Sequence, residues 1–418
     1  MGDTTKEDCR INENFWKNCV ELIEKTLVPE KSIGASRPCE QKDFREYRQT
    51  VDEKLNVLKC TLQSMCYNNN NDSINLLIET PIEKLFTVHL LLLIGEHCEQ
   101  NVWNTAHSVH LSKELESILC DICHCTNVYQ IMIKNDIISS MLLILRPKLF
   151  KNTWKAYPAA VTSYKWLLQQ VQKPRLLNYM TDILPTALII LDDYVPNNKI
   201  IALECLRIIM EHGFMARELV EHGYADVIFD ALEHLTHHRE AQYIIPLYSC
   251  ISLVLRTLEI DNNDENLLEW SKRDDVLLTL LNNMECEQNL ELRETYMLSL
   301  LPLLTKIGSA KWCKRLTRII VEYCQHYTHI KTIRATLRTA RGLLQLFHPR
   351  MAAHCVVLYT AFLKLWMDLA EAAVFDNETI HILKECIFLL QKLTPVVGRV
   401  IYDDRVRLII NNCSQFAT

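Results

Sequence analysis

Glycine is the scarcest resource in this chain: 8 of 418 residues, where globular proteins carry ~7%. Hairpin turns and phosphate-cradling loops both draw on glycine for left-handed backbone. Turn-rich β folds and nucleotide loops are therefore poorly served. No G-x-G-x-x-G, G-x-x-x-x-G-K-[ST] or G-x-S-x-G occurs, so the sequence offers no dinucleotide fingerprint, P-loop or nucleophile elbow. An apolar leader is missing too: "MGDTTKEDCR" is polar. Lys6 stands where an N-myristoylation signal at Gly2 wants Ser or Thr. The most apolar run, "LFTVHLLLLIG" (Leu85 to Gly95), is about half the ~20 residues a bilayer needs, and His89 interrupts it. Charge of one sign is not in excess either. A net charge of −6 and a pI of about 6.2 give nucleic acid and anionic membrane no global attraction. These absences predict a soluble intracellular chain with a buried helix at 85–95. Its 17 cysteines, an odd number, are then reduced thiols serving mostly as small buried hydrophobes.

What is present is helical period. "SKELESILCDICHCTNVYQIMI", "NKIIALECLRIIMEHG" and "IHILKECIFLLQKL" place apolar residues three and four apart, and strand-like alternation is nearly absent. Gly95, Gly213, Gly223 and Gly308 each follow an apolar helical run, where a left-handed stop is wanted. "WKNCVELIEKTL" reads as one helix before a loop at "VPEKSIGASRPCEQ", and "YNNNNDS" (Tyr67 to Ser73) as a polar loop. The expected fold class is all-α. Residues 1–45 form a divergent N-terminal segment, and 46–418 form an α-solenoid.

The stretch Ile183 to Gly213 poses the sharpest question about function. Asp192 and Asp193 stand side by side, followed by Tyr194 and, six residues after Asp193, Lys199. Paired acids near a lysine suggest chemistry, yet they also suit a corner between helices. Aligned with Leu277 to Gly308, the stretch shows the same plan: apolar helix, polar corner, apolar helix, glycine. Lys199 is followed by Ala202, Leu203 and Leu206, and Arg293 by Tyr296, Met297 and Leu300, the same +3, +4, +7 spacing. The plan resembles the HEAT repeat, with its acidic corner and a cation early in the second helix. "LVEHGYADVIFDAL" (Leu219 to Leu232) is similar to the armadillo style, and units of ~40–47 residues would give roughly eight to ten repeats. A carboxylate at such a corner caps N–H groups and favours the positive helix end. Lys199 is placed to reach a corner carboxylate. A hydrolase needs two carboxylates several ångströms apart across a cleft, not neighbours in sequence.

Two other constellations invite a metal. "CDICHC" (Cys120 to Cys125) contains C-x-x-C-H, a haem-attachment pattern, and Cys120 and Cys123 with His97 or Cys98 suggest zinc ligands. A second C-x-x-C pair is missing, though, and the plain reading is a helix whose Leu119, Ile122 and Cys123 face a core. "EHLTHHRE" (Glu233 to Glu240) is not H-E-x-x-H and reads as a solvated helix end.

Charge is segregated along the chain. From Glu259 to Glu294 there are 11 acidic and 3 basic residues; from Lys311 to Arg350 there are 9 basic and 1 acidic. Within the latter, Lys331, Arg334, Arg338 and Arg341 make one helical stripe. The stripe reads as a solvated face, paired with the acidic unit next door, or as a dock for an acidic partner. Stacking aromatics, which a nucleic-acid track wants among its cations, are missing from it.

The stretch Leu145 to Leu206 carries a more specific resemblance. "LRPKLFKNTWKAYP", "WLLQQVQKPRL" and "LPTALIILDDY" with "NKI" after it stand in an order similar to the Tti-two (Tel-two-interacting protein two) family. "ELRETYMLSLLPLLTKIG" and "LLQLFHPRM" follow in the expected order, so the similarity spans about residues 140–400. His348 departs from it, standing where the family is expected to carry tryptophan. The resemblance implies an α-solenoid without catalytic activity, cofactor or metal. It also implies membership of the TTT co-chaperone with Tti-one and Tel-two type subunits. That complex works with the ninety-kilodalton heat-shock chaperone and RuvB-like ATPases to mature phosphatidylinositol-kinase-related kinases. Trp154, Pro158, Trp166, Asp192, Asp193, Tyr194 and Lys199 are then architectural or interface positions, as are Lys331, Arg334, Arg338 and Arg341. The cellular place is the cytoplasm, extending to the nucleus. A generic armadillo-like adaptor for another partner has the same repeats and is the alternative reading.

Overall fold

Capping signals start the helices that the periodicity asks for. Thr80 accepts the Glu83 N–H, Glu83 reaches back to the Thr80 N–H, and Pro81 takes the first helical position, where a missing N–H costs nothing. Thr105 with Ser108, and Ser271 with Asp274, repeat the reciprocal box. A computed structural model of the chain describes residues 4–31, 37–67, 78–213, 217–259, 269–305, 307–372 and 376–393. Among the described residues there are helices and no strand. The Asn-rich stretch 68–73 and residues 394–400 of the family resemblance lie outside them.

The chain divides into two compact units, Met1–Gly213 and Phe214–Thr418. The first holds α1 (Thr4–Glu24), α2 (Arg45–Tyr67), α3 (Pro81–Glu96), α4 (Ala106–Ile122), α5 (Val128–Met132), α6 (Ile137–Leu145), α7 (Pro158–Gln170), α8 (Met180–Leu191) and α9 (Pro196–His212). Helices α1, α3, α7 and α9 stack in a row, with α2 against α4, α6 against α3 and α8 against α9. The row is the core: every residue from Phe86 to Glu96 of α3 and from Ala159 to Leu168 of α7 is buried. The apolar run at 85–95 is thus the predicted buried helix.

The second unit holds α10 (Glu218–Glu221), α11 (Tyr224–Glu233), α12 (Ala241–Leu258), α13 (Lys272–Cys286), α14 (Leu290–Leu300), α15 (Cys313–Tyr323), α16 (Ile330–Leu346), α17 (His348–Met351), α18 (Cys355–Glu371) and α19 (Asn377–Leu393). Its helices pair as hairpins in two layers. One row runs α12, α14, α16, α19; in the other α13 packs on α15 and α15 on α18. Successive hairpins begin at Tyr224, Lys272, Cys313 and Cys355, a helical-repeat period. The aligned positions Ala202, Leu203, Leu206, Tyr296, Met297 and Leu300 are all buried, as the shared spacing requires.

The glycines correct the expectation placed on them. Of the four proposed stops, Gly223 alone has positive φ, 72°. Gly213 ends α9 at φ −87°, and Gly308 lies within a 3-10 turn. Gly95 is inside α3, where a Cβ would come 2.6 Å from Ser163 Oγ and 2.9 Å from Trp166 Cε3. It is glycine because α3 and α7 nearly touch there. The expected continuous helix through "CDICHC" also breaks. α4 ends at Ile122, and His124 sits at φ 50°.

Candidate functional site

The corner that raised the question of chemistry is a tie between helices. Asp192 caps the end of α8 in solvent, 3.5 Å from Lys151 Nζ. Asp193 turns inward and is 5% exposed. Its carboxylate accepts from Lys155 Nζ at 2.5 Å and from Asn198 Nδ2 at 2.6 Å. Burial opposes its ionisation, but the Lys155 ammonium and the Asn198 amide outweigh burial and hold the carboxyl below its ordinary value. The predicted helix cap is not made. Val195 is the N-cap of α9 with no side-chain bond, and Pro196 at the first position has no N–H to satisfy. Asp193 is therefore free to bind Lys155, 38 residues earlier, in the 3-10 turn Trp154–Ala156.

Lys199 also differs from expectation. Its ammonium, buried in α9, reaches the Leu191 carbonyl at 3.4 Å rather than a carboxylate. Burial lowers its pKa against the pull of Asp192 and Asp193. Arg293, its counterpart in the alignment, does the same for α13: Nε donates to the Glu287 carbonyl at 2.7 Å. The side chain is 1% exposed, its Nη2 donates to Glu322 at 2.8 Å, and Cζ lies 4.4 Å from the Tyr323 ring centroid. Lys54 likewise meets the Lys25 carbonyl after α1, and Lys134 the Cys123 carbonyl after α4. Cations from later elements thus satisfy the open carbonyls of helix C-termini, where the helix dipole favours positive charge.

Around Asp193 the first unit holds a cleft of about 260 Å³. Trp103 and Trp154 form its apolar side, and Pro158, Val195 and Ile201 line it further. Lys165 lies between Glu99 (2.9 Å) and Glu204 (3.5 Å). The ammonium of Lys155 sits 5.5 Å from the Trp154 ring and 4.9 Å from the exposed ring of Tyr194. Of the residues singled out by the family resemblance, the structure brings Trp154, Pro158 and Asp193 to this cleft. It buries Trp166 against Gly95 instead. Lys155, Lys165 and Trp103 were not foreseen. Lys155 was visible inside the quoted "NTWKAYP", beside Trp154, but its partner is set only by packing.

In the second unit many charges of the two runs are paired with one another or with a neighbouring helix. Lys311 Nζ meets Asp274 at 2.7 Å, Arg315 meets Glu285 at 2.7 Å, and Arg318 also bonds Glu285. These residues realise the expected pairing of the basic run with the acidic unit before it. The two arginines hold the Glu285 carboxyl down to about 2. The helical stripe pairs the other way. Arg334 meets Asp376 and Glu378 (2.9 and 3.1 Å), Arg338 bonds Glu378, and Arg341 meets Glu385 at 2.6 Å. Every one of those carboxylates lies at or on α19, not in the 259–294 run, because α16 stacks on α19. Lys331 is exposed. Residues 260–268 of the acidic run lie outside the described residues.

Burial governs the metal candidates. Burial pushes the Cys120 thiol up to about 11 and Cys123 to about 12. Leu119, Ile122 and Cys123 face the core. His97 shares its Nε2 with the Tyr47 hydroxyl at 2.9 Å, and burial lowers its pKa to about 4. Among the described residues no three His, Cys, Asp or Glu side chains gather as metal ligands.

An all-α protein of stacked helical hairpins, with its polar clusters engaged in joining hairpin to hairpin, is the class that fold and site define. The Tti2 family model matches residues 144–367. TELO2-interacting protein 2 of Homo sapiens is 29% identical over 320 residues, 73% of this chain. The protein of the same name from Rattus norvegicus is 30% identical over 299 residues, and that from Mus musculus 30% over 300, each 68% of this chain. The match spans 62% of the human relative's length and 57% of the rat and mouse proteins', less than two thirds in each case. The chain belongs to the Tti2 family.

Proposed function

We propose that this chain is a non-catalytic scaffold subunit of a TTT-type co-chaperone. It grips TELO2-type and Tti-one-type chains along a helical surface, as repeat proteins do. Through them it supports delivery of phosphatidylinositol-kinase-related kinases to the ninety-kilodalton heat-shock chaperone and its RuvB-like ATPase partners. It works in the cytoplasm, extending to the nucleus. The observation that carries this reading is the family match over 144–367, with relatives named for interaction with TELO2. The bonding of Asp192, Asp193 and Lys199 within the fold supports it, since each of those groups is engaged with a residue of a neighbouring turn or helix. Permanent subunits bury ~2,000 Å² or more, so gentle affinity purification with mass spectrometry is the direct test. TELO2-type and Tti-one-type chains should be recovered in amounts close to that of the bait. Their absence overturns the reading.

A further inference from the structure

The arginines of the α16 stripe are engaged by carboxylates at or on α19, so a gripping surface is sought elsewhere. Two helical segments, Ala241–Leu258 and His348–Glu371, hold 18-residue stretches of equal mean hydropathy, yet 56% of the first stretch is buried and only 39% of the second. The surplus lies on α18. Val356, Thr360, Leu363 and Met367 fall on one face at i, i+4, i+7, i+11. Val356 is 51% and Met367 42% exposed, Thr360 is exposed and Leu363 half-buried. α18 packs on α15 and α19 with its opposite face, through Leu358, Phe362, Leu365 and Leu369. Repeat arrays normally end in a polar face for solubility. The last described hairpin ends in an apolar one.

The charges beside this face have one sign along its sides. Lys364 is exposed on one flank. On the other, Lys384 of α19 sits 5.6 Å from the Trp366 ring, and one and two turns on come Phe388, 55% exposed, and Lys392, 4.4 Å from the Phe388 ring. None of these three lysines pairs with a carboxylate of the described residues, whereas Arg334, Arg338 and Arg341 on the far side of α19 all do. Asp368 and Glu371 close only the C-terminal end.

We propose that the α18–α19 edge docks an amphipathic helix of a partner chain, with its apolar stripe against Val356, Leu363, Met367 and Phe388 and its acidic flanks against the lysines. This inference rests on the scaffold reading and gives that reading a contact surface.

The test uses the full chain and its TELO2-type and Tti-one-type partners, each purified, with binding read by biolayer interferometry. Val356→Glu with Met367→Glu should weaken binding to at least one partner by about tenfold or more. Lys364→Glu with Lys384→Glu should weaken it less and flatten its salt dependence. Leu143→Glu, at a 71% exposed position on α6, should bind like wild type. All altered side chains are exposed or half-buried, and unchanged melting temperatures confirm folding. If both double variants bind as wild type does, the edge is not the dock, while the scaffold reading stands. If wild type binds neither partner, both fail. A wild-type homodimer that Val356→Glu with Met367→Glu breaks assigns the edge to a second copy and overturns the proposal. So does binding to vesicles of phosphatidylcholine and phosphatidylserine that the same variant abolishes.

Discussion

Adjacent acids with unlike surroundings make the clearest residue-scale contrast. Asp192 lies in water and Asp193 in a pocket with a lysine and an amide. Asp193→Asn should lower unfolding free energy by about 1–3 kcal/mol, because it leaves Lys155 without its anion. Asp192→Asn should leave the melting temperature within about a degree. Thermal melts of the two variants separate these outcomes, and equal losses would contradict the tie. Glu96 offers a pH test. Its carboxyl is buried, with Oε2 accepting the Val28 N–H at 2.8 Å, and burial raises its pKa to about 7. The folded state therefore holds a proton that the unfolded chain releases near pH 4.5. The stabilisation is complete below that value and is lost as pH rises through about 7. His97 acts oppositely: its contribution is full above 6.5 and is lost as pH falls through about 4. Glu96→Gln should thus gain on wild type by up to about 3 kcal/mol between pH 5 and pH 8, read by urea unfolding. A constant difference would place the carboxylate in contact with water.

At the scale of elements, close approach and end-capping decide stability. Gly95→Ala adds helix propensity worth about 1 kcal/mol, but the new methyl meets Ser163 Oγ at 2.6 Å and Ser163 Cα at 3.1 Å. Overpacking costs about 1–3 kcal/mol, so net destabilisation is expected in a thermal melt. The α16–α19 ladder is more exposed, and salt should weaken it. Replacing Arg334, Arg338 and Arg341 by glutamine should speed amide exchange in α19 at about 0.05 M salt and do so less at about 1 M. Exchange unchanged at low salt would show that apolar packing alone holds α19. The elements themselves were legible beforehand. α3, α9 and α19 follow from period and length, and the register of Lys199 with Arg293 follows from two aligned corners. Their bonding partners were not. Which carboxylate an arginine meets depends on which hairpin stacks beside it, and Lys155 finds Asp193 only after α7 and α9 come together. The glycine stops misled because Gly95 answers to the close approach of α3 and α7, while Gly213 ends α9 in right-handed backbone and Gly308 sits in a 3-10 turn.

For the molecule as a whole, the described residues make two units of stacked helices, and far-ultraviolet circular dichroism should show helix with negligible strand. Composition carried that conclusion, since scarce glycine and a pervasive 3.6-residue period leave little room for sheets. It did not carry function. That came from a quoted segment, Leu145 to Leu206, whose family membership the 144–367 match bears out, while the dock proposed at the α18–α19 edge rests on side-chain exposure that only the fold defines.

The lysine and arginine seals on helix ends have a practical corollary for dissecting this chain. Three helices borrow their stop from a residue downstream: α8 from Lys199, α13 from Arg293, α1 from Lys54. A fragment cut between a helix and its lender would fray at the severed end although no apolar contact had been removed. Fragment boundaries are safer one cation later than the helices alone suggest.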